Sequence, residues 1–461
     1  MHPHCSYFAN SALLPTGWAD NVLIAVDKAG YITDVSCNPP PNNAIHFEGA
    51  MLPGMLNLHS HAFQRAMAGL AERATAEKES FWTWRETMYR FLEKLTPEDL
   101  QAIAAQVYIE MLKAGFTTVG EFHYIHHQPN GTPYQERCLT SHHIISAAQE
   151  VGIAITLLPV LYSYSGFGGQ KPTVNQKRFI NNETQILDII SSLVKAYKDE
   201  PQVIIGLAHH SLRAVTPDML QHATAAMKHI APQSPIHIHI AEQTKEVTDC
   251  LQWSGQRPVE WLLNHVDINS HWCLVHATHM TAHETQRLAH SGAVAGLCPI
   301  TEANLGDGLF NLPEYIREKG KWGIGTDSNI SVSIVDELRM LEYGQRLIHH
   351  ERAITKTPTE PSVGTVLYQQ ALLGGTRALG RPAGSIEIGN RADFIILDTQ
   401  NPSLLFKSNS LILDAMIFAG NANPVRHVIA GGQHVVKNFR HIAEDEVLKA
   451  YTNTIKTYLH R

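Results

Sequence analysis

The sequence lacks most of what would mark a nucleic-acid, membrane or disulfide-stapled protein. Lys and Arg number 36 against 43 Asp and Glu, a formal charge of −7, so there is no basic footprint for nucleic acid or an anionic lipid surface. Any anionic substrate must therefore meet positive charge that is local. Cysteine is scarce: six residues, at 5, 37, 138, 250, 273 and 298, without CxxC spacing, which disfavours both a disulfide framework and a thiolate metal site. Reduced thiols in a cytoplasm are expected. No apolar run approaches the roughly 20 residues of a membrane-spanning helix. The opening Met1-His-Pro-His-Cys-Ser-Tyr-Phe8 has no basic region followed by an apolar stretch, so the chain is expected to be soluble and unexported. No phosphate-binding loop and no GxGxxG turn after the first apolar run are present, so a nucleotide is not expected.

What is present fits a large globular chain of 461 residues, 44% hydrophobic and 17% charged. Its middle alternates short β-rich runs, at 52–58, 116–122, 153–161, 202–208, 235–241, 271–277, 293–298 and 322–327, with amphipathic stretches such as Pro97 to Ala114 and Pro217 to Ile230. Eight such units predict a (β/α)8 TIM-like barrel over 52–384, favoured over a doubly wound open sheet. Residues 1–51 and 385–461 read differently. Alternating segments such as Val22-Leu-Ile-Ala-Val26, Asp393-Phe-Ile-Ile-Leu-Asp398 and Val425-Arg-His-Val-Ile-Ala430, with turn signals at Asp27-Lys-Ala-Gly30 and Gly431-Gly432, predict a small β-sandwich domain built from both termini. The polar stretches 126–140 and 163–182 read as barrel loops, the first bordering the active site.

His59 and His61 end the first barrel run. Two residues apart on a strand, their imidazoles point to one side and can share a divalent ion, although such a pair alone also fits a hydrogen-bonded couple. Three further groups end their own runs: His239 in Ile236-His-Ile-His-Ile-Ala-Glu242, His276 in Cys273-Leu-Val-His276, and Asp327 in Gly323-Ile-Gly-Thr-Asp327. Neutral imidazoles and a carboxylate suit zinc or iron and leave a position for water, whose pKa the metal lowers towards about 7. Hydroxide so made attacks a carbonyl or amidine carbon. Glu242 is placed to carry the proton to a leaving nitrogen, and Asp327 and His276 to orient the water. His237 shares the strand face of His239 but is read as core or as a support for the ligands. The doublets His126-His127, His142-His143 and His349-His350 are read as surface or loop residues, and Trp82, Trp84, Trp253, Trp261 and Trp272 as core or lid packing.

The Pro53-Gly-Met-Leu-Asn-Leu-His-Ser-His61 opening, His239-Ile-Ala-Glu242, His276, Gly325-Thr-Asp-Ser328 and the trailing Gly384-Ser-Ile-Glu-Ile-Gly-Asn-Arg-Ala-Asp393 together resemble the amidohydrolase superfamily, in order, over nearly the whole chain. Within it the nearest resemblance is to the branch that deiminates N-formimidoyl-L-glutamate in histidine degradation. It is carried by 59–70, 80–86, Glu121-Phe-His-Tyr124, His210-Ser-Leu-Arg-Ala-Val-Thr216 and 301–308. The resemblance implies His59, His61, His239 and Asp327 as metal ligands, with Glu242, His276 and Asp327 catalytic. Two-metal members use a lysine at the end of strand four, but here Gly206-Leu-Ala-His-His-Ser-Leu-Arg213 has none, so one zinc per subunit is implied, with iron the alternative. A homodimer is implied by the resemblance alone.

The implied substrate carries two carboxylates and an amidine head, so its pocket needs planar bidentate donors opposite the metal. Arg85 and Arg213 supply them, with Gln64, Tyr124 and His210 at positions the branch uses around substrate. Without the resemblance, Arg85 could simply stack in Phe81-Trp-Thr-Trp84, and Arg213 could cap a helix. The alternative activity is deamination of a guanine-like or other heterocyclic amidine by the same mononuclear chemistry.

Overall fold

Apolar β-branched runs bounded by Gly, Pro and Asn become strands, and the amphipathic stretches between them become helices with recognisable ends. The structure, a computed structural model, describes residues 5–37, 43–70, 72 and 81–459, with the side chains of 81–83 and 459 outside the described set. Its strands are β1 Cys5–Leu14, β2 Gly17–Val26, β3 Ile32–Cys37, β4 Ile45–Pro53, β5 Met55–Ser60, β6 Phe116–His123, β7 Ala154–Leu161, β8 Val203–Ile205, β9 Leu207–Ser211, β10 Ile236–Ile240, β11 Trp272–His276, β12 Val294–Leu297, β13 Lys321–Ile324, β14 Phe394–Leu397, β15 Val425–Ala430, β16 Gln433–Lys437 and β17 Arg440–His441.

β5, β6, β7 and β9 to β13 pair in that order, all parallel, with the short β8 beside β7. A parallel bridge between Ser60 and Asp327 joins the last unit to the first, giving an eight-stranded (β/α)8 barrel. β6, β7, β10 and β11 are buried along their whole length, which is why they read as continuous apolar runs. The helix Pro97–Ala114 shows how the sequence sets its partners. Thr96 and Asp99 form a reciprocal capping box, Pro97 occupies the first turn, and Gly115 ends the helix at φ 100°.

The expected first strand, 52–58, is two strands. Gly54 separates β4, in the terminal sheet, from β5, in the barrel. Burial on both sides of the break made one apolar run of two elements. The fourth run likewise breaks at Gly206 and extends to Ser211, while β13 stops at Ile324, so Asp327 lies just beyond its strand.

The terminal strands form one mixed sheet, ordered β17-β16-β15-β14-β4-β1-β2-β3, in which only β1 and β4 are parallel. It curls on itself: Tyr7 Oη donates to the Gly432 carbonyl at 2.9 Å, closing a separate core of Tyr7, Ile24, Phe47, Phe394 and Ile429. At the base of the barrel the helix Val363–Ala378 packs so closely that a Cβ on Gly374 would overlap the backbone of Trp322. No described helix is long and apolar enough to cross a membrane, and all six cysteines are unpaired.

Candidate active site

β5, β10 and the turn after β13 deliver His59, His61, His239 and Asp327 to one buried cluster at the C-terminal mouth of the barrel. Asp327 Oδ1 lies 3.3 Å from Nε2 of both His59 and His61, and His239 Nε2 lies 3.0 Å from His59 Nε2. The other ring nitrogens set the tautomers. His61 Nδ1 donates to the Phe122 carbonyl and His239 Nδ1 to the His210 carbonyl, each at 3.0 Å. Both rings therefore turn an Nε2 lone pair inward. Lone pairs and a carboxylate oxygen facing one another need a cation between them, and ligands at about 2.0–2.1 Å from one ion stand about 3.3 Å apart in a tetrahedron. Protonation agrees: burial pushes His59 down to about 3 and also lowers His61 and His239, while the histidines, His59 first, hold Asp327 well below the usual carboxyl range against its burial. These are the states a metal binds. The residues fit one divalent ion.

Backbone strain places the remaining groups. Strict alternation would send Glu242, three residues past His239, to the opposite face. Ala241 adopts φ 50°, a left-handed conformation that re-aims Glu242, and Glu246 holds that turn by accepting from the Ala241 and Glu242 N–H groups at 3.2 and 3.3 Å. His276, Ala277 and Asp327 are also left-handed, at φ 69°, 48° and 44°. His276 Nε2 comes to 3.8 Å from Glu242, and its Nδ1 to 3.2 Å from Glu302, whose Oε1 also accepts from Cys298 N–H at 2.9 Å. Burial disfavours charge on His276, but Glu242, Glu302 and Asp327 outweigh it and push it up to about 10. Burial likewise raises Glu242 against the pull of His276 and Arg213.

The seam beside Asp327 is densely bonded. His61 N–H donates to the Asp327 carbonyl and Asp327 N–H to that of His59, at 2.9 and 3.0 Å. Asn57 pairs Thr326 through side chain and backbone, and Asn329 donates to Ser60 Oγ and the His61 carbonyl.

A pocket opens over this cluster, and all five expected substrate-binding residues line it: Gln64, Arg85, Tyr124, His210 and Arg213. Gln64 Nε2 donates to Tyr124 Oη at 3.0 Å, the Tyr124 ring meets His61 edge-on, and the Arg85 guanidinium stands 5.6 Å over the Tyr89 ring. Burial opposes the charge on Arg213, which Glu246 and Glu242 sustain. His237 is turned away, its Nε2 donating to the Ala378 carbonyl at 2.7 Å. Among the described residues none of 126–140 lines this pocket. Phe179, from 163–182, does, so the loop after the third strand takes the place expected of the one after the second. His126 and His127 are buried, not surface, residues, whereas His142 and His143 are half-buried and His349 and His350 exposed. Trp84 lines the pocket, while Ser80 and the side chain of Trp82 lie outside the described residues. Sequence reasoning missed Tyr162, Glu246 and Glu302. Only Glu302 stood in a segment already singled out.

Barrel, terminal sheet and ligand set define a metal-dependent hydrolase, and a profile of the amidohydrolase family matches residues 50–435. The chain belongs to the amidohydrolase family. It is 48% identical over 448 residues to formimidoylglutamate deiminase of Pseudomonas aeruginosa, covering 97% of this chain and 98% of that one. The crystal structure of an amidohydrolase from Brucella melitensis superposes with a TM-score of 0.94 at 46% identity, over 99% of this chain and all of that one. A zinc-bound adenosine deaminase from Xanthomonas campestris, 20% identical, shares the fold at a TM-score of 0.81 over 98% and 99% of the two chains.

Proposed function

We propose that the chain hydrolyses N-formimidoyl-L-glutamate to N-formyl-L-glutamate and ammonia, as a cytoplasmic homodimer of histidine degradation with one zinc ion per subunit, iron being the alternative. The observation that carries this reading is one pocket with two arginines, Arg85 and Arg213, lining it above a His59, His61, His239 and Asp327 set. Kinship at 48% identity with a deiminase of that substrate supports it.

When bound, a divalent ion lowers the pKa of water to about 7 and provides a nucleophile at neutral pH. Asp327 and His276 orient the attacking water towards the formimidoyl carbon. Glu242, its proton affinity raised by burial, takes the water's proton and delivers it to the departing nitrogen. With the carbon–oxygen bond formed, the adduct's hydroxyl gives up the second proton, which Glu242 passes to the same nitrogen as the carbon–nitrogen bond breaks, so ammonia leaves and the added oxygen stays as the formyl carbonyl. Arg85 and Arg213 clamp the two carboxylates, with Gln64, Tyr124 and His210 donating to the remaining oxygens.

Ammonia release across formimidoylglutamate, formimidoylaspartate, guanine, cytosine and adenosine tests the reading. Formimidoylglutamate is expected to be turned over best and the heterocycles not at all. Turnover of a heterocycle without activity on formimidoylglutamate would establish the alternative deaminase instead.

A further inference from the structure

Two buried polar residues on the pocket side have no part in the chemistry above. Tyr162 follows β7, lines the pocket with Arg85 and Arg213, and sets its ring edge-on to the His210 imidazole with centroids 4.3 Å apart. Gln176 ends the short turn Val174–Gln176 in the loop 163–182 and is 1% exposed. Its amide orientation is dictated by a capping box: Oε1 accepts from Thr173 N–H at 2.8 Å, so Nε2 is the donor to Tyr162 Oη at 2.7 Å.

A phenol carries one proton and two lone pairs. Gln176 Nε2 fills one lone pair of the Tyr162 oxygen, which leaves its own proton for an acceptor in the pocket that Arg213 and Arg85 line, where their charges draw anionic oxygen. Burial holds Tyr162 above its ordinary pKa against those two arginines, so it stays a neutral donor. Two arginines already match two carboxylates. A neutral donor adds a bond to an oxygen the guanidinium forks leave unfilled, without surplus charge. A heterocycle with no carboxylate would instead leave that buried proton unpaired, which costs affinity.

We propose that Tyr162 is a substrate-binding and specificity-determining residue that donates its phenol proton to one carboxylate of the substrate, and that Gln176 is the positioning residue that aims it. This rests on the dicarboxylate reading above. Tyr162→Phe removes one oxygen and keeps the ring on His210, so the expected result is a rise in KM for formimidoylglutamate of about tenfold or more, with kcat within about threefold and metal content unchanged. Formimidoyl analogues lacking either the α-carboxylate or the distal carboxylate sharpen the test, because the substitution should be nearly silent on the one that lacks the group Tyr162 holds. Gln176→Leu should give part of the same KM rise and add nothing in the Tyr162→Phe background. An unchanged KM in both single variants, or an equal loss on all three compounds, overturns the proposal while leaving the proposed activity intact. A wild-type enzyme that releases no ammonia from formimidoylglutamate overturns the underlying reading itself.

Discussion

His237 and His239 lie two residues apart on β10, share a strand face, and are both buried, yet they do unrelated things. His239, at the barrel mouth, turns a bare Nε2 towards His59 at 3.0 Å. His237, one layer deeper, satisfies its Nε2 on the carbonyl of Ala378 at 2.7 Å. The contrast holds for both ends of the barrel. At the mouth, acceptors converge and the backbone is left-handed at Ala241, His276, Ala277 and Asp327. At the base, the helix Val363–Ala378 packs backbone to backbone against Trp322. Depth in the barrel, more than residue type, decides whether a buried polar group is spent on chemistry or on structure.

The strongest way to break the comparison is to remove one histidine from each layer. His239→Ala, like Asp327→Ala, should abolish bound metal and turnover together, whereas His237→Gln should keep both. Metal content with ammonia release decides, and full metal in either ligand variant would show the wrong residues to be ligands. Next comes Glu242→Gln, which keeps shape and loses proton transfer: turnover should fall by roughly 10² or more with the metal retained. Loss of metal there would make Glu242 a ligand. Truncating Arg85 or Arg213 should cost about 2–4 kcal/mol in kcat/KM on formimidoylglutamate, and Arg→Lys should recover little, because a point charge does not reproduce the planar fork. If neither truncation alters kcat/KM, the dicarboxylate reading fails.

At the base the expected effects are on stability. Gly374→Ala forces the helix off Trp322 and should lower unfolding free energy by roughly 1–3 kcal/mol while per-site activity holds. A denaturant midpoint that stays put would contradict the close packing described. The smallest effect is on acid behaviour. Burial lowers His237 to about 4, so below pH 6.5 the unfolded chain binds a proton that the folded chain refuses. Stability from this group is therefore complete above 6.5 and lost as pH falls towards 4. His237→Gln should flatten the stability slope across that window, and an unchanged slope would mean that the ring is not held neutral.

Much of this was legible in the sequence because barrel chemistry follows strand ends. The His59-Ser-His61 spacing, the run ends at His239 and His276, and the amphipathic stretch from Pro97 to Ala114 are local patterns, and the first three gain their meaning from occurring together. What stayed hidden depends on tertiary contact. Apolar continuity masked the break at Gly54, since β4 and β5 are buried in different sheets. Glu242 was placed by resemblance and proximity, but its facing rests on the positive φ of Ala241, which alanine does not announce. Tyr162 looked like any aromatic beyond a strand. The histidine pair 126–127 looked exposed because its neighbours are polar, yet the loop folds inward and Ile180 offers its carbonyl to His127.

The bridge between Ser60 and Asp327 ties the first barrel unit to the last, so the ligand set is complete only in a chain made past Asp327. Its first ligands enter the chain near residue 60, His239 follows His59 by 180 positions, and the Asn57–Thr326 bond spans 269. A nascent chain that has not yet emerged past Asp327 lacks one of the four ligands and the bridge that closes the ring. The full set thus reports a closed ring, since no fragment that stops short of Asp327 can present it.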